Sequence, residues 1–357
     1  MSILFRYLAA RMLLAIGLAL LGLTLLFTFI DLIGELGDVR PQGYTTGMAM
    51  LFVLLRTPSR LFELMPIAAL VGALLALTRL AVSSEFTVMR ASGLSPRRML
   101  AYLAALGLLL GGLTLLLGEY LAPPGERAAQ QLKLRGKERL VASSFESGFW
   151  AKDGRTFINI RELYPDASLR GLSLYEFDAD FHLVGVRAAA HGQWSSAGHW
   201  RLTEVSETRL GPGGVQVRTL PEQEWRSAIN PDLLSALMVN PERMSIGRLL
   251  SYIRYLHENK QKAKRYEIAL WGKLFFPLAL PVMLFLALPF AYQPPRGQGL
   301  GGRVLLGILI GLAFYLLNRL SGHVGLIYDW PPLGSALLPV AVFAAAALLA
   351  LWRVERR

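Results

Sequence analysis

The chain has 357 residues, 54% of them hydrophobic, and carries a formal net charge of +12. It contains no cysteine, which excludes disulfide bonds, thiol catalysis and metal sites built on thiolates. Most of the positive charge comes from arginines at the ends of apolar segments, where they are typical of membrane proteins and determine topology. We therefore expect no nucleic-acid partner.

Six apolar segments are long enough to cross a bilayer, for which a helix needs about 20 such residues. They are 12–33, 61–81, 99–122, 268–292, 304–320 and 333–352. The first has no small-residue cleavage site at its end, so we interpret it as a retained span and not as a signal peptide. The sequence therefore predicts an α-helical membrane protein with three spans on each side of a long insert.

The arginines in the short loops predict the orientation of these spans. The N-terminus, the loops 79–98 and 293–303 and the C-terminus contain eleven arginines, whereas the loops 34–60 and 318–332 contain four. We therefore expect both termini and the loop 79–98 on the cytoplasmic side, and the insert on the opposite, periplasmic side.

Charged side chains follow the outer ends of the first two spans. Asp31 lies at the edge of an apolar segment, where an ionised group is costly, and the sequence leaves open whether it has a pairing or substrate role or belongs to a solvated helix end. Glu35 and Asp38 are interpreted as a solvated helix end. Pro58 predicts an interruption of the second helix, which with Pro66 favours a kinked helix lining a lateral opening.

The loop between the second and third spans contains a predicted short helix at 83–92. Ser83 or Ser84 is expected to cap its start, and Gly93 to end it in the left-handed conformation. Ser95 and Pro96 then predict the cap and first turn of the next helix.

Four side chains of this short helix are the predicted contacts with a partner, namely Glu85, Phe86, Met89 and Arg90. Phe86 and Met89 are three residues apart and share one face. We interpret the helix as a rigid element whose apolar tips dock into a groove of another protein.

The insert 123–267 is predicted to be a separate domain between the membrane regions 1–122 and 268–357. Residues 126–140 resemble a helix, and five segments between 148 and 225 alternate apolar and polar residues, which favours an antiparallel sandwich or barrel. The edges of such a sheet can pair with a neighbour's strands. Residues 245–265 are predicted to form an amphipathic helix that returns to the membrane.

Basic residues at this return suggest a rim for an anionic lipid, since each is worth about 1 kcal/mol near an anionic surface. The alternative is an ordinary solvated helix face. Together with the side chains near the other spans, the candidates for a lipid headgroup site are Asp31, Arg40, Arg56, Arg60, Lys260, Lys262, Lys264, Arg265 and Lys273.

Prolines 277, 281 and 289 are expected to break the fourth span, as in helices that bend around a cavity. Glycines four apart at 107/111 and 307/311 allow close helix approach, either within this chain or with a second subunit. The candidates for cavity lining or subunit packing are Phe29, Phe62, Leu64, Gly307, Gly311 and Tyr315.

Motifs for catalysis are missing from the sequence. There is no phosphate-binding Gly-x-x-x-x-Gly-Lys-Ser/Thr segment, the five histidines have no metal-ligand spacing, and Asp178 with Asp180 is interpreted as a turn. We expect a non-catalytic chain that binds no cofactor and takes its energy from a separate ATPase. A membrane scaffold whose outer domain binds partners remains the alternative.

Five segments together carry a family resemblance: 84–96 (SEFTVMRASGLSP), 66–73, 150–154 (WAKDG), 252–256 (YIRYL) and 271–277 (WGKLFFP). Over essentially its whole length the chain resembles the LptF/LptG permeases of the lipopolysaccharide exporter. The segments 150–154 and 252–256 are more similar to the LptG branch than to the LptF branch.

This resemblance implies an ABC transporter in the bacterial inner membrane. The implied partners are an LptF-like sister permease, a cytoplasmic LptB-like ATPase dimer that binds ATP and Mg, a single-span LptC-like protein and a periplasmic bridge. The insert is implied to be a β-jellyroll, and lipopolysaccharide to enter from the outer leaflet. By matching position, Glu85 resembles the family's coupling-helix glutamate, which faces a basic group of the ATPase.

The resemblance has one departure at the outer end of the first span. LptG-like chains can carry lysines there, whereas this chain has Thr28, Asp31, Gly34 and Glu35. We therefore expect the headgroup contact to have moved, with Arg40, Arg56, Arg60 and Lys273 as candidates.

Overall fold

The computed structural model describes residues 3–39, 43–137, 148–164, 168–195, 198–211, 213–236, 240–292 and 300–355. The chain folds into two compact units. The first comprises Met1–Gly34, Val53–Gly125 and Lys264–Arg357, and the second comprises Glu35–Phe52 and Glu126–Ala263.

The helices in chain order are α1 (Ile3–Leu36), α2 (Thr46–Val82), α3 (Glu85–Ala91), α4 (Pro96–Leu116), α5 (Ala122–Lys137), α6 (Pro231–Ala236), α7 (Ile246–Glu258), α8 (Lys264–Phe275), α9 (Ala279–Ala287), α10 (Pro289–Tyr292), α11 (Leu300–Ile327) and α12 (Pro332–Glu355). A π-helical turn, Leu117–Leu121, joins α4 to α5, and a 3₁₀ turn, Phe276–Leu278, joins α8 to α9.

Within the described residues, six helical segments are long and apolar enough to cross a membrane, which confirms the predicted spans. They are Ile3–Leu36, Thr46–Val82, Pro96–Lys133, Lys264–Tyr292, Gly301–Ile327 and Pro332–Val354. The second and fourth are the most buried, whereas the first, fifth and sixth bury the smallest share of their residues.

Prolines affect the second and fourth spans differently. The predicted interruption of the second was wrong, because α2 continues through Pro58 and Pro66. A proline removes one backbone hydrogen bond, but apolar surroundings penalise opening the others. The predicted break in the fourth span is confirmed at Pro277, which lies in the 3₁₀ turn after α8, and at Pro289, which begins α10. At Pro281 it was wrong, because α9 continues through that residue.

Both glycine pairs pack within this chain. A Cβ at Gly111 would lie 2.8 Å from the carbonyl oxygen of Pro277, and Gly107 lies against Pro281. A Cβ at Gly307 or Gly311 would lie 2.6 Å from Leu74 or 2.8 Å from Ile67 of α2 respectively. Small residues therefore bring α4 close to the fourth span and α11 close to the second.

The second unit contains six strands: β1 (Phe149–Asp153), β2 (Thr156–Leu163), β3 (Leu169–Phe177), β4 (Leu183–Trp194), β5 (Trp200–Gly211) and β6 (Gly214–Trp225). They form one sheet in sequential order, with every neighbouring pair antiparallel. The predicted antiparallel β domain between the third and fourth spans is thereby confirmed.

One face of the sheet carries the core of this unit. Ile160, Leu172, Ala189 and Val205 are register partners across β2–β5, and all four are buried. Trp200 is fully buried, and its indole Nε1 donates to the carbonyl oxygen of Ile229 at 2.6 Å. A fully satisfied tryptophan therefore anchors the segment after β6 to the sheet.

The insert differs from the sequence expectation in three details. Strand spacing predicts a sandwich or barrel, whereas the described strands form one sheet that is not closed, since β1 and β6 are not paired with each other. The short strand β1 was not predicted. The helix expected over 245–265 is two helices, since α7 ends at Glu258 and α8 begins at Lys264. A separate prediction, the helix at 126–140, ends outside the described residues.

Candidate functional site

The short helix between the second and third spans is α3, and its start differs from the prediction. Ser84 occupies the cap position with φ of 60° and makes no side-chain cap bond, so the expected capping was wrong. In this left-handed conformation the hydroxyl is not aimed at the first free N–H groups. The predicted end is confirmed, since Gly93 has φ of 92°. The Ser95 hydroxyl caps α4 by accepting from the Arg98 N–H at 3.3 Å.

The two apolar side chains of α3 face the chain's own core. Phe86 and Met89 are 3% and 7% exposed and belong to the cluster that includes the membrane helices. The prediction that they point outwards was wrong, because burying such a side chain gains about 2 kcal/mol and the bundle lies directly behind them. The Phe86 ring meets Tyr292 of α10 edge-on at 5.2 Å, and the Arg90 guanidinium lies 5.0 Å from the centre of the Tyr292 ring.

The opposite side of α3 remains open. Thr87, Arg90 and Ala91 are exposed, and 62% of Val88 is exposed. This surface, rather than the predicted apolar tips, is available to a partner protein.

Glu85 is held by side chains on both sides of its carboxylate. The Tyr7 hydroxyl of α1 donates to Oε2 at 2.6 Å, and the Ser83 hydroxyl donates to Oε1 at 3.0 Å. The Arg11 Nε donates to the Tyr7 oxygen at 3.2 Å. The Tyr7 hydrogen bond, then the Ser83 bond and the charge of Arg11, lower the pKa of Glu85 below its ordinary value. Glu85 is therefore an oriented anion at neutral pH.

Sequence reasoning did not find Tyr7. It lies 78 residues from Glu85, and a tyrosine before an apolar span is ordinary in membrane proteins, so no local pattern connects the two.

At the edge of the first span, Asp31 makes an ion pair, which answers the question left open by the sequence. Arg60 donates from Nε and Nη2 to its two carboxylate oxygens at 2.6 and 2.5 Å, and from Nη1 to Glu63 at 2.9 Å. The Arg60 guanidinium also lies 5.9 Å from the centre of the Phe27 ring. Its charge is thus matched by two carboxylates.

Lys273 is buried between spans and not at a solvated rim. Its Nζ lies 3.1 Å from the Glu119 carboxylate, and only 4% of its side chain is exposed. Glu119 belongs to the π-helical turn, a feature common at functional sites in helices. Nearby, Phe62 stacks on Phe276 at 4.7 Å and lies against Gly118.

The other predicted headgroup residues fall into three groups. Lys260, Lys262 and Arg265 are exposed, and Lys260 has φ of 53°. Lys264 pairs with Asp329, and Arg56 is half-buried. Arg40 lies outside the described residues.

The remaining packing candidates lie on α1, α2 and α11. Phe29 is 61% exposed on α1, whereas Leu64 is buried in a small cluster with Ile67 and Val71, against which Tyr315 packs. Gly307 and Gly311 approach the same side of α2.

A polar cluster in the second unit was missed by sequence reasoning. Lys133 Nζ lies 2.7 Å from Glu35 and 3.1 Å from Asp38, and the buried Tyr44 hydroxyl donates to Glu35 at 3.2 Å. Burial first, and then Glu35, raise the pKa of Tyr44. Glu35 and Asp38, interpreted from sequence as solvated, both have partners.

Asp178 and Asp180 lie in an exposed turn, as predicted. Asp178 accepts hydrogen bonds from the backbone N–H groups of Asp180 and His182 at 2.9 and 2.8 Å. The bond from His182 is the main cause of a lowered pKa of Asp178. In this turn, polar side-chain atoms of Asp178, Asp180 and His182 lie within 4.8 Å of one another.

Comparison with known proteins agrees with this architecture along the entire chain. The family described as lipopolysaccharide export system permease LptF/LptG matches residues 6–353. The chain is 34% identical to lipopolysaccharide export system permease protein LptG of Escherichia coli K12, over 100% of this chain and 99% of that protein. It is 29% identical to the LptG protein of Haemophilus influenzae, over 99% and 98% of the two chains. The six spans, the inserted sheet and the full-length match together show that this chain belongs to the LptF/LptG family of lipopolysaccharide export system permeases.

Proposed function

We propose that this chain is a permease subunit of an ATP-driven exporter that extracts lipopolysaccharide from the outer leaflet of the inner membrane and passes it to a periplasmic bridge. The family match supports the cargo and the permease role. The observation that carries the coupling to an ATPase is α3, a separate short helix between two spans with an anchored carboxylate and an open outer face.

The energetics of the cargo require an external source of work. Removing an acyl chain from lipid costs about 0.8 kcal/mol per CH₂ exposed, so several chains cost tens of kcal/mol. The sequence has no phosphate-binding loop. A partner ATPase dimer that binds ATP and Mg is therefore part of the proposal, and this chain supplies no catalytic group.

The ATPase contact is assigned to the open side of α3. Thr87, Val88 and Ala91 offer a small apolar and hydroxyl surface, flanked by the charges of Glu85 and Arg90. A basic group of the ATPase fits the carboxylate of Glu85, because a charge-assisted hydrogen bond is about twice as strong as a neutral one.

The outward faces of the first and fifth spans favour a second permease beside this one. Leu18, Leu21 and Leu25 of α1 and Leu309 and Leu312 of α11 are all exposed. In a membrane these side chains face lipid or another helix. An LptF-like sister permease packed here encloses the cavity that the lipid enters.

A phosphate contact at the exposed basic residues Lys260, Lys262 and Arg265 is the corresponding proposal for the headgroup. Arg60 and Lys273 already pair with carboxylates. They therefore fit a role in holding the spans together better than a role in binding an anion.

The β domain offers an edge to the periplasmic partners. Among the described strands, β6 pairs with β5 alone, and its Val215 and Val217 are 63% and 67% exposed. An LptC-like or bridge protein can add a strand at such an edge. The same edge also supports the second candidate function, a scaffold that binds envelope proteins and transports nothing.

One substitution separates transport from scaffolding. In proteoliposomes with the sister permease and the ATPase, we expect Glu85→Ala to reduce lipopolysaccharide release and the lipid-stimulated ATPase rate. Glu258→Ala, an exposed glutamate at the end of α7, is the matched control and retains both. If Glu85→Ala keeps the full release and ATPase rates and the β-domain partners still bind, the chain is a scaffold.

A further inference from the structure

Helix α3 contacts two membrane helices that are not its neighbours in the chain. Its connecting segments lead to α2 and α4. Glu85 nevertheless bonds to Tyr7 near the start of α1, and Phe86 and Arg90 lie on Tyr292 of α10, at the end of the fourth span. A displacement of α3 therefore has direct routes to the first and fourth spans.

The contact with α1 is specific and charged. The Tyr7 oxygen accepts from Arg11 while its own hydrogen goes to Glu85, and the Arg11 guanidinium lies 5.2 Å from the centre of the Tyr7 ring. Hydrogen bonds linked in this way polarise and strengthen one another.

The anchored carboxylate keeps room for a further donor. Each oxygen of Glu85 accepts one side-chain hydrogen bond, from Tyr7 or from Ser83, whereas a carboxylate offers about four acceptor positions. A cation of another subunit can therefore bind Glu85 without displacing Tyr7. Fixing the acceptor in advance also reduces the ordering cost of that binding.

We propose that Tyr7 is a positioning residue for Glu85, which orients the carboxylate for the ATPase and passes the movement of α3 directly to the first span. This inference rests on the proposed function, because it needs an ATPase seated against α3. The burial of Phe86 and Met89 holds the helix in place without the phenol. The Tyr7 hydroxyl is therefore needed for the direction of the carboxylate and for the link to α1.

The first test is a double-mutant cycle in proteoliposomes containing the whole transporter. Tyr7→Phe removes the hydroxyl and keeps the ring, and we expect lipopolysaccharide released per ATP to fall about threefold to tenfold, the effect of losing one partly solvated hydrogen bond to a charge. Tyr328→Phe, which removes a hydroxyl from a 70% exposed tyrosine, is the matched control and leaves the ratio unchanged.

Glu85→Gln completes the cycle and separates the two proposals. If Tyr7 acts through Glu85, adding Tyr7→Phe to Glu85→Gln causes little further loss. If Tyr7→Phe releases as much lipopolysaccharide per ATP as the wild type while Glu85→Gln releases less, the positioning role is overturned. The proposed function then remains intact. If the fold losses of the two single variants multiply in the double variant, Tyr7 and Glu85 act independently, and this result also overturns the positioning role. Wild-type transport by Glu85→Gln and Glu85→Ala contradicts the proposed coupling itself.

A second readout follows the titration of Glu85, which depends on the hydrogen bond from the Tyr7 hydroxyl and not on the packing of the Tyr7 ring. Among the described residues, the charged or titratable groups that act on Glu85 are Tyr7 and Arg11 on α1, whereas Arg90 on α3 lies against Tyr292 on α10. A spin label on Val88→Cys, one turn from Glu85, reports the local environment of the carboxylate in the purified chain, which has no other cysteine.

Because hydrogen bonds lower the pKa of Glu85, the stabilisation they give is present above the ordinary value of 4.5 and is lost as the pH falls through the lower folded value. We expect the spectrum of the label to change only below pH 4.5, while Phe86 and Met89 keep α3 in place, and the midpoint of that change to move up towards 4.5 in Tyr7→Phe. An unchanged midpoint overturns the proposal.

Discussion

The Nζ of Lys273 lies 3.1 Å from the carboxylate of Glu119, and this ion pair connects the fourth span to the π-helical turn of the third. Only 4% of the lysine side chain is exposed. Truncation of one partner in a buried pair leaves the other charge poorly compensated, which is more costly than replacing both.

We therefore expect Lys273→Met to destabilise the protein by about 3 kcal/mol, and Lys273→Met with Glu119→Gln to recover much of that loss. Thermal unfolding of the purified permease in detergent measures both variants. The exposed Lys262→Met is the control and stays within about 0.5 kcal/mol of the wild type. Equal stability of Lys273→Met and this control would show that the pair contributes nothing.

Neighbouring glycines in α4 give a matched comparison for helix packing. A Cβ at Gly111 meets the Pro277 carbonyl oxygen at 2.8 Å, whereas a Cβ at Gly112 has nothing within 4 Å. We expect Gly111→Ala to cost about 1–3 kcal/mol through overpacking. Gly112→Ala should gain about 0.5–1 kcal/mol by restricting the unfolded chain. The same thermal assay distinguishes them, and the opposite order would contradict the close approach of α4 and the fourth span.

The two faces of α3 predict different defects for neighbouring substitutions. Phe86→Ala removes a ring that is 3% exposed and should cost about 3–5 kcal/mol of stability. Val88→Ala changes a side chain that is 62% exposed, so stability should hold while the affinity for the ATPase falls. Thermal unfolding and co-purification of the ATPase measure the two effects. If Val88→Ala lost stability and Phe86→Ala did not, the orientation of α3 described here would be contradicted.

Tyr255 gives the β domain an alkaline limit of stability. Its hydroxyl donates to the Lys152 carbonyl oxygen at 2.8 Å, and burial, assisted by the charge of Asp153, raises its pKa to about 12. The unfolded chain releases this proton near the ordinary value of 10.0, so stability holds below that pH and declines as the pH rises from 10 towards 12.

We expect the free energy of unfolding to fall by about 2–3 kcal/mol over that interval, because each unit of pKa shift corresponds to 1.36 kcal/mol. Denaturation followed by tryptophan fluorescence at pH 9 and at about pH 12 measures it. Tyr255→Phe removes the group and should flatten the decline, whereas Tyr328→Phe, a 70% exposed tyrosine, should not. An identical decline in Tyr255→Phe would assign it to other groups.

The spans and the β domain were predictable because each follows from a local period. Apolar runs of spanning length identify the membrane helices, and alternation over 156–160 and 172–177 identifies the strands β2 and β3. The ends of α3 were also partly readable, since Gly93 and Ser95 act through their own backbone neighbourhood.

Contacts between distant segments could not be read in the same way. The sequence places Phe86 and Met89 on one face of α3, but it does not state whether that face meets the bundle or a partner. Pro58 and Pro277 look equivalent as residues, yet only the second accompanies a break. The Tyr7–Glu85 and Lys273–Glu119 pairs join elements that the chain brings together only in the folded bundle.

The π-helical turn at Leu117–Leu121 amounts to one extra residue in the third span, and an α-helix rotates by about 100° per residue. Deleting the exposed Tyr120 would restore a regular helix and swing the residues beyond it around the axis by that angle. Gly125, whose missing Cβ lets it lie against the Leu55 carbonyl oxygen, would then turn away from α2. A single insertion thus keeps two separate contacts of this helix in phase.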